Sequence, residues 1–118
     1  MIALDAKTGQ PCADFGDSGE VKIDPGMPLR WPGEFQITSA PVVSHGVVVV
    51  GSSISDNGRV DAPHGVVRAF DARTGRPRWN WDPLVHDGIE AGAANVWAPR
   101  SADDKLGLVF LPTSSPSP

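Results

Sequence analysis

Apolar and polar positions in this sequence alternate over short stretches, and no window repeats its apolar residues with a helical period. The clearest stretch is Gly65–Trp81. There the mostly apolar Val66–Phe70 is followed by Asp71–Gly75 and then by the alternating Arg78–Trp81. β-Branched and aromatic residues favour strands, and a carboxylate, a hydroxyl and a glycine together are typical of a chain reversal. The stretch therefore predicts a β-hairpin with an aromatic second strand.

Two further hairpins are predicted on either side of this one. The continuous run Val47–Val50 follows a turn at Ser44–Gly46, and its β-branched residues predict a strand buried on both faces. Further on, Val96–Arg100 and Gly107–Leu111 predict two strands joined by a turn at Ala102–Lys105. The whole pattern predicts an all-β chain with many turns. The 13 Gly and 12 Pro among 118 residues support this prediction.

Both kinds of hairpin recur along the chain. The segment Ala3–Gly9 resembles Ala69–Gly75, 66 residues later, and Ser39–Pro41 resembles Trp97–Pro99, 58 residues later. A period near 60 residues made of alternating hairpins is typical of a β-propeller, whose blades are four-stranded sheets. In the first copy the position of the second strand's tryptophan is taken by Ala13, and Phe15 is the aromatic residue expected to replace it as an anchor.

At this period, 118 residues predict roughly two blades. We expect residues 1–15 to end one blade, 37–82 to form a full blade, and 95–118 to begin the next. Residues 16–36 are rich in Gly, Pro and charge, which predicts a long loop between blades. Because open sheet edges would then face solvent, we expect the chain to be a fragment that is not stable alone.

Charge and cysteine content exclude several classes of partner. A net charge of −4 and no run of Lys or Arg argue against a nucleic-acid partner. No apolar run approaches the ~20 residues that cross a bilayer, so any membrane segment is expected outside this sequence. The single Cys12 cannot form an internal disulfide and is expected to be a loop thiol.

The motif Ala69–Trp79, Ala-x-Asp-x-x-Thr-Gly-x-x-x-Trp, resembles the tryptophan-docking motif of quinoprotein dehydrogenases, which are propellers that carry pyrroloquinoline quinone (PQQ). Four further motifs resemble, in order and spacing, the membrane-bound glucose and quinate/shikimate dehydrogenases: Ile37–Pro41, Gly51–Asn57, Asn95–Pro99 and Leu108–Pro112. The resemblance covers nearly the whole chain. It implies an all-β fold, a fragment of roughly two blades of an eight-bladed quinoprotein β-propeller.

The resemblance also implies a site for PQQ, a flat tricarboxylated ortho-quinone, and for Ca²⁺ or Mg²⁺. Asp56 would bind the metal, and Asn57, Trp97 and Ser117 would bind the cofactor, with the Trp97 indole as a stacking floor. Taken without the resemblance, Asp56 and Asn57 are more typical of an Asx turn than of a metal site, and Trp97 could pack between blades. Several hydroxyls in Thr113–Ser117 could replace that of Ser117.

Four other polar residues carry weaker expectations. Arg100 follows the Trp-Ala-Pro motif and could reach a cofactor carboxylate, but a salt bridge at the rim is the favoured interpretation. His45, His64 and His86 fall in predicted loops without the spacing of a metal cluster or a catalytic triad, so they are expected at the surface.

The family implies a PQQ-dependent dehydrogenase acting on CH–OH groups. Such an enzyme oxidises a sugar or polyol hydroxyl, as in glucose or quinate, by hydride transfer to PQQ, and passes electrons to ubiquinone at the periplasmic face of the bacterial inner membrane. The family's catalytic Asp and Lys belong to later blades, so this sequence holds no catalytic residue and is expected to be inactive alone.

The alternative is a non-catalytic propeller scaffold built from PQQ-like repeats, as in outer-membrane assembly lipoproteins, which bind protein partners. The hairpin motif is common to both classes. Asp56, Asn57 and the context of Trp97 distinguish them, because a scaffold needs neither a metal ligand nor a ring floor.

Overall fold

A computed structural model describes residues 1–55, 58–85 and 91–117 of the chain. These residues form short β-strands and no helix, as predicted, and so contain no apolar helix of membrane-spanning length. The strands are β1 (Phe35–Gln36), β2 (Val42–Ser44), β3 (Val47–Val50), β4 (Ser53–Ile54), β5 (Val67–Asp71), β6 (Pro77–Trp81), β7 (Gly92–Ala93), β8 (Ser101–Asp103), β9 (Leu108–Phe110) and β10 (Pro116–Ser117).

The central element is a four-stranded antiparallel sheet in the order β2-β3-β5-β6. Its first two strands are joined by the predicted turn, where His45 and Gly46 have φ values of 48° and 72°. The register pairs Val48 with Phe70 and Val67 with Trp81. The remaining strands pair into three two-stranded sheets, namely β1-β4, β7-β10 and β8-β9. The central sheet has the architecture of one propeller blade.

Alternate side chains of the central sheet enter two separate apolar clusters. Val48, Val50 and Phe70 face one side, where Met1, Val21 and Ile23 of the N-terminal segment cover them. The opposite side carries Val49, Val67 and Ala69, which pack with Val96 and with two residues near the C-terminus, Val109 and Leu111. Burying a Val or Phe side chain completely contributes about 1.5–3 kcal/mol. The sheet is therefore held between the segments that precede and follow it, as a blade is between its neighbours.

The two copies of the Asp-x-x-Thr-Gly motif form the same turn. In the second copy, Asp71 Oδ1 accepts hydrogen bonds from Arg73 N, Thr74 N and Thr74 Oγ1 at 3.0, 2.9 and 3.0 Å. The Thr74 N–H is the main cause that lowers the pKa of Asp71. Gly75 closes the turn with φ of 69°, in the left-handed region.

In the first copy, Asp5 Oδ1 accepts from Lys7 N, Thr8 N and Thr8 Oγ1 at 3.0, 2.8 and 2.9 Å. Gly9 has φ of 70°, and the hydrogen bond from Thr8 N lowers the pKa of Asp5. The repeated sequence therefore folds into the same turn, in which the same donor and acceptor atoms form the same hydrogen bonds.

A third turn of this kind follows β8, one residue later than predicted. Asp103 ends the strand, and its Oδ1 accepts from Lys105 N and Leu106 N at 2.8 and 3.0 Å. The predicted turn at 102–105 therefore lies too early, because the Asp that begins such a turn stands four residues before its Gly, here Gly107.

The aromatic anchors differ between the two copies. Phe15 is 3% exposed, as expected for the residue that replaces a tryptophan, whereas Trp79 and Trp81 on the outer strand β6 are 43% and 37% exposed. All five residues of β6 are exposed. This strand therefore presents two indoles at an open sheet edge, and within the described residues Trp79 is not the buried anchor that its motif would predict.

Candidate functional site

The predicted site segments meet at Asn95, which is 1% exposed. Its Nδ2 donates to Ile54 O at 3.0 Å, and its Oδ1 accepts from Ile54 N at 3.0 Å. Ile54 lies two residues before Asp56, and Asn95 two residues before Trp97. The Asn95 carbonyl oxygen also accepts from Ser114 N at 2.8 Å. One residue thus joins the three stretches in which the sequence predicted metal and cofactor ligands.

Strand pairing explains why Ile54 needs this partner. In the β1-β4 ladder, Ser55 N donates to Glu34 O at 3.0 Å, and antiparallel residues alternate in the direction of their hydrogen bonds. The N–H and C=O of Ile54 therefore point away from β1, and they are buried because Ile54 is 2% exposed. The Asn95 carboxamide offers one donor and one acceptor and so completes the ladder as a third strand would.

The backbone before Asn95 is strained. Ala93 and Ala94 have φ values of 59° and 54°, a left-handed conformation that costs a non-glycine residue about 1–2 kcal/mol. Two hydrogen bonds hold it in place: Gly65 N donates to Ala93 O at 2.6 Å, and Ala93 N donates to Pro63 O at 2.9 Å. Such strain collects at functional sites, where the surrounding structure fixes it.

Trp97 is 52% exposed, so its indole is not a buried contact between packed strands in the described part of the chain. Trp97 lies two residues after Asn95, the residue that joins the three segments and is called the junction below. Its half-exposed ring has a free surface on which a flat molecule could stack.

Ser117 occupies a different environment. In β10 it pairs with Gly92 of β7 and is 3% exposed. Its Oγ is buried and has no hydrogen-bond partner, which is uncommon and calls for a ligand or a water. Since this atom is shielded from solvent, direct contact with a cofactor requires the C-terminal strand to shift.

Asp56 and Asn57 lie outside the described residues. The loop that holds them is anchored on its far side by a buried ion pair, in which Arg59 Nε donates to Glu34 Oε1 at 2.6 Å. The Glu34 and Arg59 side chains are 1% and 7% exposed. Glu34 Oε2 also accepts from Arg30 N at 2.7 Å, and Arg59 Nη1 donates to Asp61 O at 2.7 Å.

The ion pair favours the charged forms of both Glu34 and Arg59. The hydrogen bond from Arg59 is the main cause that lowers the pKa of Glu34, and the same bond raises that of Arg59. Ile54, before Asp56, is thus held by Asn95, and Arg59, after Asn57, is held by Glu34. Sequence reasoning missed Asn95, Glu34 and Arg59 as structural supports, since each acts on a residue at least 25 positions away.

The salt bridge predicted for Arg100 is wrong. Its Nη1 donates to Val96 O at 2.9 Å and its Nη2 to Ala40 O at 2.7 Å, and no described carboxylate pairs with it. Burial lowers the pKa of Arg100. The guanidinium instead ties Ala40 of the Ser-Ala-Pro segment to Val96, which is fully buried and whose carbonyl oxygen needs a donor.

The histidines differ from one another. His45 is exposed, as expected, with its Nδ1 3.1 Å from Ser44 Oγ. His64 is half-buried, and its Nδ1 lies 2.8 Å from Asp82 Oδ2, so describing it as a surface residue was incomplete. His86 lies outside the described residues.

Within residues 1–55, 58–85 and 91–117, no group of three His, Cys, Asp or Glu side chains could hold a metal ion. The predicted ligand, Asp56, is not among them. For a flat cofactor the described residues offer one fitting surface, the half-exposed indole of Trp97, two residues after Asn95. The orphaned hydroxyl of Ser117 is buried and does not face it without a shift of the C-terminal strand.

The layered antiparallel sheets and the repeated Asp-turn hairpins define the class of the protein as a β-propeller. A family model described as "PQQ: Glucose/ethanol/alcohol dehydrogenase, beta-propeller domain" matches residues 1–118. The chain belongs to this family.

Curated relatives carry several substrate names. The chain is 39% identical to the quinate/shikimate dehydrogenase (quinone) of Acinetobacter baylyi over 99% of its own length and 16% of the relative's. It is 38% identical to the glycerol dehydrogenase large subunit of Gluconobacter oxydans over 98% and 17%. For the quinoprotein glucose dehydrogenase A of Acinetobacter calcoaceticus the identity is 34%, over 100% and 16%. The chain thus spans only about one sixth of these relatives.

Proposed function

We propose that the protein containing these residues is a PQQ-dependent oxidoreductase that oxidises a CH–OH group of a sugar or polyol. The observation that carries this proposal is the convergence of the three motif segments at Asn95, in a chain that belongs to a dehydrogenase propeller family. A scaffold that binds protein partners would need neither a metal ligand nor an exposed ring floor in these segments. The named substrates of the relatives, glucose, quinate and glycerol, support a hydroxylated substrate.

Each predicted ligand has a distinct role in this proposal. Trp97 holds the plane of the cofactor through its exposed indole. Asn57 gives a polar contact at the edge of the cofactor, and Ser117 gives another once the C-terminal strand has shifted. Asp56 supplies a hard oxygen ligand for Ca²⁺ or Mg²⁺. When bound, PQQ supplies an ortho-quinone that accepts hydride, and the metal ion polarises it.

The remaining chemistry comes from outside this chain. No residue here is assigned as the base that takes the hydroxyl proton, so a catalytic Asp and a Lys on other blades complete the site, and the chain alone is inactive. Electrons pass to ubiquinone at the periplasmic face of the inner membrane, with any membrane anchor supplied by other segments. Residues 1–15, 37–82 and 95–118 belong to three successive blades.

The test uses the full-length protein in its apo form. PQQ is titrated with Ca²⁺ or Mg²⁺ present and followed by quenching of tryptophan fluorescence, and dye reduction is then assayed with glucose, quinate and glycerol. Trp97→Ala should weaken PQQ binding about tenfold, because aromatic stacking contributes about 0.5–1.5 kcal/mol beyond the buried area. Trp79→Ala, which removes an indole from β6, should leave PQQ affinity unchanged. Absence of PQQ binding to the wild type would favour the scaffold.

A further inference from the structure

We infer that the cleft between residues 22–27 and the outer strands β5 and β6 binds a small oxyanion, a carboxylate or a phosphate group, at the guanidinium of Arg68. Two cavities of about 480 and 360 Å³ form this cleft, and Arg68 and Asn80 lie in the walls of both. The anion site is separate from the proposed cofactor site, and binding to it does not require PQQ.

Strand register places Arg68 in this cleft. Arg68 pairs with Val50 of β3 on one side and with Asn80 of β6 on the other. Directly paired residues of antiparallel strands point to the same face of a sheet. Val50 belongs to the apolar cluster that Val21 and Ile23 of the N-terminal segment cover. The side chains of Arg68 and Asn80 therefore lie on the face that this segment covers, with an amide next to the guanidinium.

Arg68 is a half-buried cation that pairs with no carboxylate of the described residues. Its Nη1 donates to Val66 O at 3.0 Å, and its Cζ lies 5.9 Å from the centre of the Phe35 ring. Burial is the main cause that lowers the pKa of Arg68. By contrast, the guanidinium of Arg59 pairs with a glutamate, and that of Arg100 donates to several carbonyl oxygens. The other N–H groups of Arg68 are left for a ligand.

The two carboxylates that attract Arg68 through space are held by other groups. Asp24 Oδ1 accepts from Gly26 N at 2.8 Å. Asp82 uses its two oxygens for a backbone N–H at 2.9 Å and for His64 Nδ1 at 2.8 Å. Neither carboxylate forms an ion pair with Arg68, so the half-buried charge still favours an anion in the cleft.

The larger cavity has a positive wall in a chain whose net charge is −4. Lys22, Arg68 and Arg78 line this cavity, and Asp24 is the one carboxylate among its described lining residues. Within the described residues, neither Lys22 nor Arg78 forms an ion pair. Cations around a concave wall raise the local concentration of anions, and a guanidinium binds a carboxylate or a phosphate through two parallel hydrogen bonds. The chemistry of the wall therefore selects a small oxyanion.

The experiment titrates the full-length protein with sodium succinate and with sodium phosphate by isothermal titration calorimetry, at an ionic strength held constant with sodium chloride. Arg68→Gln removes the central charge. Asp24→Asn removes the carboxylate from the wall and keeps the oxygen that accepts from Gly26 N. Arg73→Gln is the matched control, since it makes the same change of charge at an exposed position outside the cleft. Amide hydrogen exchange with and without each anion locates the site.

We expect at least one of the two anions to bind, with slower exchange at residues 22–24 and 78–80, and the tighter of the two identifies the ligand as a carboxylate or a phosphate. Arg68→Gln should weaken binding at least about tenfold, because it removes hydrogen bonds to a charged group. Asp24→Asn should tighten binding, since it removes a like charge, and Arg73→Gln should leave it unchanged. If Arg68→Gln does not fold, Lys22→Gln at an exposed position carries the test, with a smaller loss in the same direction.

Three results would overturn the anion site. A wild type that binds neither anion would show that other parts of the full-length protein already neutralise Arg68. Equal losses in Arg68→Gln and Arg73→Gln would reduce the effect to net charge. Displacement of bound PQQ by the anion would assign the cleft to the cofactor site. A wild type that binds an anion but no PQQ would overturn the proposed function alone, so the two failures are distinguishable.

Discussion

The Asp71 turn and the Asn95 junction both rest on one side chain that bonds to backbone, but they differ in range. Asp71 bonds to groups two and three residues ahead, whereas Asn95 bonds to Ile54, 41 residues behind. The turn can form wherever its five residues occur, and it does so twice with the same atoms. The junction exists only after several sheets have packed. Repetition of the turn builds the propeller, and a single long-range contact distinguishes the junction at Asn95 from an ordinary repeat.

The junction also differs in free space from the first copy of the turn, at Asp5. An added methyl group would meet no atom within 4 Å at Gly9 in the first turn. At the junction, a Cβ on Gly51 would fall on the Val96 carbonyl oxygen and lie 2.7 Å from Arg100 Nη1. The junction depends on backbones in close approach, so we expect it to be the less tolerant region.

The largest effect is expected for Gly51→Ala. The new methyl group must displace the Val96 carbonyl and break its 2.9 Å hydrogen bond with Arg100 Nη1. Overpacking costs about 1–3 kcal/mol, and a hydrogen bond to a charged group about 1.5–3 kcal/mol. We therefore expect a loss of about 3–5 kcal/mol, measured by thermal and denaturant unfolding of the full-length protein.

The neighbouring variant Ser52→Ala is the matched control for Gly51→Ala. Ser52 is 1% exposed and its Oγ has no hydrogen-bond partner, so losing the hydroxyl should be neutral or slightly stabilising. Equal destabilisation by both variants would contradict the close-approach argument.

A smaller effect is expected for the matched pair Gly75→Ala and Gly9→Ala. Both glycines have nearly the same φ, 69° and 70°, so alanine pays about 1–2 kcal/mol of backbone strain at each. A Cβ at Gly75 would also lie 2.6 Å from Val21 Cγ2 and 3.3 Å from Phe15 Cε1. The second turn packs on the N-terminal segment and the first does not.

Gly75→Ala should therefore lower the unfolding midpoint more than Gly9→Ala does, and Val21→Ala should reduce the difference between them. Equal midpoints for the two glycine variants would show that the N-terminal segment does not pack on the second turn in solution.

Sequence patterns were sufficient for the elements whose information is local. The hairpin turn at His45 and Gly46, the buried strand Val47–Val50 and the Asp71 turn follow from residue type and spacing, because each is fixed within a few residues. The β8-β9 hairpin was misplaced, since the apolar pattern around it is short: its first strand was predicted at Val96–Arg100 but lies at Ser101–Asp103, and its turn lies one residue later than predicted. The Asp and Gly spacing shared with the other turns would have corrected it.

The site was only partly predictable for a physical reason. The motifs located the segments near Ile54, Trp97 and Ser114, yet neither the Asn95 carboxamide nor the Glu34–Arg59 pair has a local signature. Whether Arg100 meets a carboxylate or a carbonyl depends on which backbone groups the packed sheets leave without partners. That information appears only in three dimensions.

The smallest effect concerns pH and the two equivalent aspartates. The pKa of Asp71 in the folded protein is below its ordinary value of 3.8, so the carboxylate stabilises the fold fully above pH 3.8, and this stabilisation is lost as pH falls through the lower, folded value. Asp71→Asn keeps an acceptor oxygen but does not titrate. The stability difference between wild type and Asp71→Asn should therefore be constant at neutral pH and shrink below pH 3.8, as followed by denaturant unfolding at a series of pH values.

Comparison with Asp5→Asn sharpens this prediction. The hydrogen bonds at Asp5 and Asp71 match, but Arg78 adds an electrostatic attraction that lowers the pKa of Asp71 only. Salt screens the electrostatic attraction between exposed charged groups and leaves short hydrogen bonds largely intact. Raising the ionic strength should therefore reduce the effect of Asp71→Asn slightly and leave that of Asp5→Asn nearly unchanged. Identical salt responses would mean that Arg78 on the outer strand does not act on the turn, and that the two turns are equivalent in charge as well as in geometry.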